Sequence, residues 1–250
     1  MNLSIKKENN LTYIAISGLA FIIACVLHEV IGHGAACLVS GHDILLLTSV
    51  YFKCSSGTVW VDLAGPFVNF IVGGLCYFAL LAKNLSSNLR LFILFTIAFN
   101  LFWCAGCMFT SAISNKSDFA YLLVLWNFGE DLVERIILFV GGIFIYVFTL
   151  RILSRHSDQS TPFLISYISA GVISCIAATF YVGEIIPAIR EAALESFGSA
   201  VGLLYLHLKF IAVQDNSNYL ARKKPYARWL MIFVAVASAF IFSLGRGIVA

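Results

Sequence analysis

The sequence predicts an all-α polytopic membrane protein of about seven transmembrane helices, with a small membrane-associated β-hairpin between the first two. Three observations predict it. Of 250 residues, 60% are hydrophobic and only 12% charged, and the mean hydropathy is +0.92, more apolar side chain than a soluble domain of this length can bury. Several uncharged runs approach the ~20 residues that cross a bilayer core, and in lipid such runs must be helices to satisfy their own backbone groups. Lys and Arg divide unequally between the two ends of these runs.

Taken in order, the expected spans are 11–40, 63–82, 91–114, 136–150, 163–183, 196–213 and 229–245. The first follows Lys6 and Lys7 as a signal peptide would, but no small-residue cleavage site succeeds it, so it is expected to be retained. Between the first two spans, "ILLLTSVYFKCSSGTVWVDL" (44–63) carries β-branched and aromatic residues around a "KCSSG" turn and reads as a hairpin. The segment 119–129 is too short to cross and is expected to be re-entrant or interfacial. With no internal repeat, residues 1–250 form a single integral membrane domain, with 11–125 as its core and 136–250 as additional helices.

Lys6, Lys7, Lys83, Arg90, Arg151, Arg155, Arg222, Lys223, Lys224 and Arg228 fall on the N-terminal side. Lys53, Lys116, Arg135, Arg190 and Arg246 fall on the other, and Lys209 lies inside a span. Ten against five places the N-terminus in the cytoplasm of a multi-pass cell-membrane protein. The opposite loops also hold Glu130, Asp131, Glu134, Glu184, Glu191 and Glu195. The net charge of +3 gives no support for a nucleic-acid partner. Seven cysteines, odd in number and mostly inside apolar runs, do not form a disulfide framework pattern, and Cys104 and Cys107 in "FWCAGCMF" read as packing residues.

"HEVIGHG" (28–34) carries the chemistry. Ionisable side chains inside an apolar span are costly and point to function. His28 and His33 are one residue further apart than in H-E-x-x-H, and on a regular helix residues five apart diverge by about 140°. A π-bulge restores them to one face, and Gly32 and Gly34 ease the distortion, so the sequence predicts a π-bulge or break here. Two further motifs converge on this point. "LAGPFVNF" opens the second span with Gly65, Pro66 and the amide of Asn69, and "SNKSDF" places Asp118 after the third. His28 is the eighteenth residue of its run, ~27 Å along it, so all three motifs meet at the far face.

An HE…H motif on an early helix, a hairpin, then "AGPFVN" at the next helix together resemble the site-2 protease family of intramembrane zinc metalloproteases. The resemblance covers roughly residues 15–125. It implies one zinc ion bound by His28, His33 and Asp118, Glu29 as general base, and Asn69, with Gly65 and Pro66, holding the substrate backbone. It also implies cleavage of a membrane protein or peptide within the bilayer by metal-activated water. The extra residue in the histidine motif keeps open a catalytically silent membrane chaperone or binding protein, and ionisable residues at membrane depth keep open a proton-coupled transporter using His28, Glu29 and Asp118 as a relay.

Overall fold

The computed structural model describes residues 9–82, 84–114, 117–125, 132–157, 159–211 and 226–249. Lys6, Lys7, Lys83, Lys116, Arg222, Lys223, Lys224, Glu130 and Asp131, which entered the charge count, lie outside the described residues.

The first span is α1 (Asn10–Val26), a π-helical turn (Leu27–Gly34) and α2 (Ala35–Val39), together a 30-residue rod. Asn9 caps its start, its side chain accepting from the Leu11 amide. The hairpin follows as β1 (Ile44–Leu47) and β2 (Phe52–Cys54), paired antiparallel with Leu47 opposite Phe52. The reversal is at 48–51, not at "KCSSG" as the composition suggested. There the Thr48 hydroxyl accepts from the amides of Val50 and Tyr51 and fixes a tight turn. Lys53 and Cys54 of the expected turn are instead strand residues, and Cys54 is bridged to Cys37 at the end of the first rod. Cysteine parity gave no sign of that disulfide. A third strand, β3 (Ile248–Val249), pairs antiparallel with β1, giving the order β2-β1-β3.

Thr58 caps α3 (Val59–Leu80), which contains Pro66, and α4 (Ser87–Ser114) returns to the same face. Then come α5 (Ala120–Leu125), α6 (Leu132–His156), α7 (Ser160–Thr179), α8 (Ile185–Ala193), a second π turn (Leu194–Gly198), α9 (Val201–Ile211) and α10 (Ala227–Phe240). The central, most buried helix is α4, packed against α1, α3 and α6, while α7 and α10 cover the other side of α1. Its Leu94, Phe95, Ile97, Ala98 and Phe102 are fully enclosed with Ile16 and Ala20 of α1.

Among the described residues, six helices are long and apolar enough to cross a membrane. The expected span 196–213 is not one of these. Its described helix, α9, has 11 residues and takes up where the second π turn leaves off. Even so, α9 runs beside α7 and brings His207 Nδ1 to 3.1 Å from the Ser160 carbonyl at the start of α7. Exposed Phe67, Phe78, Ile137, Phe144 and Met231 on α3, α6 and α10 give the molecule the apolar outer surface of a helical membrane protein.

Candidate metal centre

The π turn does what the spacing of the histidines demands. Carrying residues 28 and 33 through one widened turn brings the His28 and His33 Nε2 atoms to 3.1 Å, both rings buried at the end of the first span. Gly32 permits the close crossing behind them: a Cβ there would meet the Gly65 Cα at 2.5 Å. Gly65 is equally constrained, since a Cβ on it would strike the His33 imidazole and come within 2.9 Å of His28 Cε1. Flat aromatic faces hold both imidazoles. Trp103 of α4 stacks on His28 with centroids 5.0 Å apart, and Phe52 of β2 stacks on His33 at 5.4 Å.

Asp118 arrives from the segment after α4. Ser117 adopts a left-handed φ of 75°, rare for a residue with a Cβ, and the Phe119 amide donates to Ser111 Oγ, so the carboxylate is aimed back at the bundle. Its Oδ2 is 3.3 Å from His28 Nε2 and its Oδ1 is 3.6 Å from His33 Nε2. Burial alone would raise the Asp118 pKa, but the His28 hydrogen bond and the charges of His28 and His33 hold the carboxyl below the usual carboxylate range.

These separations fit a metal. Donors held ~2.0–2.2 Å from a tetrahedral zinc lie about 3.3–3.6 Å from one another, and the three found here are 3.1, 3.3 and 3.6 Å. The outer nitrogens fit as well. His33 Nδ1–H donates to the Val61 carbonyl at 2.7 Å, which leaves the Nε2 lone pair free. His28 Nδ1 is 3.2 Å from the Asn69 side-chain nitrogen, while the fully buried Asn69 Oδ1 has no partner. Rotating that amide by half a turn gives His28 Nδ1–H an acceptor and frees its Nε2 in turn.

Glu29 is buried beside His28 and lines a cavity of about 1260 Å³ together with both histidines, Asp62 and Asp118. The far wall is built from α8, the second π turn and the start of α9. Asn69, Gly65 and Pro66 do not line this cavity. Substrate contact by these residues is what the family resemblance implies; in the structure Gly65 packs against the histidines and Asn69 lies against His28.

Cys107, whose apolar surroundings in the sequence predict a packing residue, has its Sγ within 4.8 Å of donor atoms of His28 and Asp118. The signal for it was present. Thr96, Asn100, Trp103, Cys107 and Ser111 follow one another at helical spacing along α4, a polar stripe that lipid would not tolerate outward.

The fold and the site therefore define a class: a helical membrane protein with a His-His-Asp cluster, its histidines buried and its aspartate half-buried, at one end of its bundle. No protein family, curated protein or solved structure was found to match the chain.

Proposed function

We propose that this protein is an intramembrane zinc metalloendopeptidase, cleaving peptide bonds of membrane-embedded or membrane-proximal substrates. One observation carries the reading: three donors from two segments far apart in the chain converge at zinc-like spacing beside a buried glutamate, in a cavity large enough for a peptide. His28, His33 and Asp118 would hold the ion, leaving a position open as catalytic sites require. Bound zinc supplies a Lewis acid that polarises the scissile carbonyl and acidifies water. Glu29 accepts the proton of the attacking water and returns it to the leaving amine. Val61 and Asn69 fix the imidazole tautomers, and Trp103 and Phe52 fix the ring planes.

The site faces away from the cytoplasm in this proposal. The Lys and Arg distribution supports that orientation, and so does the Cys37–Cys54 disulfide, which lies at the same end as the histidines and persists in oxidising surroundings. The membrane is then the cell membrane.

Purified protein should contain about one zinc per chain, as a catalytic site holds. Glu29→Gln should abolish cleavage of a membrane-peptide library and keep the zinc, whereas His28→Ala or His33→Ala should lose both. Full cleavage by Glu29→Gln removes the general base, and metal-free wild type removes the peptidase.

A second reading is favoured by one atom. Were Cys107 a fourth ligand, the site would be closed and structural, as in a membrane chaperone or binding protein. Cobalt substitution separates the two: a thiolate-to-cobalt band in the near ultraviolet, lost in Cys107→Ser, supports the closed site, and its absence supports the open one.

A further inference from the structure

The far wall of the cavity is acidic, and the proposed hydrolysis does not use it. Glu195 stands on the second π turn and Glu191 on α8, one helical turn earlier, so both reach the same face. The Oε2 atom of Glu195 is buried and has no hydrogen-bond partner. Arg190 also lines this wall, but among the described residues no ion pair joins it to either glutamate. Asp62 adds a further carboxylate on the histidine side. With Asp118 and Glu29 assigned to metal and water, three carboxylates remain against a single guanidinium.

The charges of this wall act on the hairpin turn, where Tyr51 packs against the cluster that includes Ala188 and Ala192 of α8. Burial pushes the Tyr51 phenol up, and Glu191, Glu195 and Glu184 push it further, with Tyr181 adding to them. Burial likewise raises the Glu195 carboxyl well above its ordinary value, reinforced by Glu29, Glu191 and Asp118. Like charges crowded without a counter-charge are unfavourable, and an arriving cation relieves them.

We infer that Glu195 and Glu191 form a subsite for a primary ammonium group of the peptide substrate, placing that charge across the cavity from the histidine pair. An ammonium has three donors and no acceptor, which suits a buried carboxylate oxygen that lacks a donor. The group is either a free peptide N-terminus or a lysine side chain; the chemistry at the wall is the same. This inference rests on the peptidase reading for its substrate, but binding can be measured without turnover.

The experiment uses full-length Glu29→Gln protein in detergent with measured zinc content. Three synthetic Leu/Ala peptides of one length serve as probes: one with a free N-terminus, one N-acetylated, and one N-acetylated with an internal lysine. A charge-assisted hydrogen bond in a buried site should give at least one ammonium-bearing peptide about tenfold or more tighter binding than the neutral one. Whichever peptide gains identifies the source of the ammonium. In the Glu29→Gln/Glu195→Gln double variant the advantage should fall below about twofold, since a neutral amide removes the charge but not the shape. Glu191→Gln, a second isosteric change, should cut it partially. Equal affinity for all three peptides overturns the subsite, as does an advantage that survives Glu195→Gln. A charge preference in protein devoid of zinc would leave the subsite standing and remove the peptidase, so the two failures are distinguishable.

Discussion

At the scale of single residues, Asp118 and Asp62 make the sharpest comparison, because both are carboxylates lining one cavity. Only Asp118 places its two oxygens 3.3 and 3.6 Å from the two Nε2 atoms. Asp118→Ala should therefore strip most of the zinc, and Asp62→Ala should leave it, as measured by metal analysis in the same detergent. Equal zinc in Asp118→Ala and wild type would move the third-ligand role elsewhere. Asn69 supplies a subtler test. It does not line the cavity but lies 3.2 Å from His28 Nδ1, and losing such a partner to a metal-ligating imidazole costs about 10–100-fold in metal affinity. Asn69→Ala should show that loss in a chelator competition titration. Unchanged affinity would mean that the Trp103 stack alone sets the ring.

At the scale of elements, the distortion of the first span was legible because its cause is arithmetic: His28 and His33 cannot share a face of a regular helix, and the π turn at Leu27–Gly34 provides the extra residue. The convergence of the three motifs was legible for a similar reason, since run lengths set depth. What could not be read was contact. The hairpin turn was displaced because the sequence shows Gly and Ser at 55–57 but not that the Thr48 hydroxyl would capture two amides. The contact of Asn69 with His28 was hidden because a sequence places the residue near the site without saying which way the amide points. The disulfide was invisible because Cys37 and Cys54 become neighbours only once the hairpin folds back. Gly32 tests the crossing of the first rod over α3. Gly32→Ala drives a methyl into the Gly65 backbone, and overpacking of this kind costs about 1–3 kcal/mol. Thermal unfolding in detergent should show the decrease. A melting temperature equal to wild type would mean that the two helices can separate freely.

At the scale of the whole molecule, the path of the chain makes a topological prediction. The amide of Tyr226, just before α10, bonds the Thr12 hydroxyl in the first turn of α1, so these two helices start on one face. Both end on the other, where β3 joins β1. With α9 returning beside α7, the two ends of the described chain lie on opposite faces. A reporter active only in the cytoplasm should work at the N-terminal end and fail at the C-terminal end, and activity at both would require a different path. The pairing of β1 with β3 has a further consequence, for biosynthesis. Leu47 and Ile248 are partners, yet nearly the whole chain separates them. At translation rates of about 5–20 residues per second, β1 waits roughly 10–40 s for its neighbour. During that time its bare edge lies open beside the nascent histidines, so this face is finished last, after every helix of the bundle has been threaded into the bilayer.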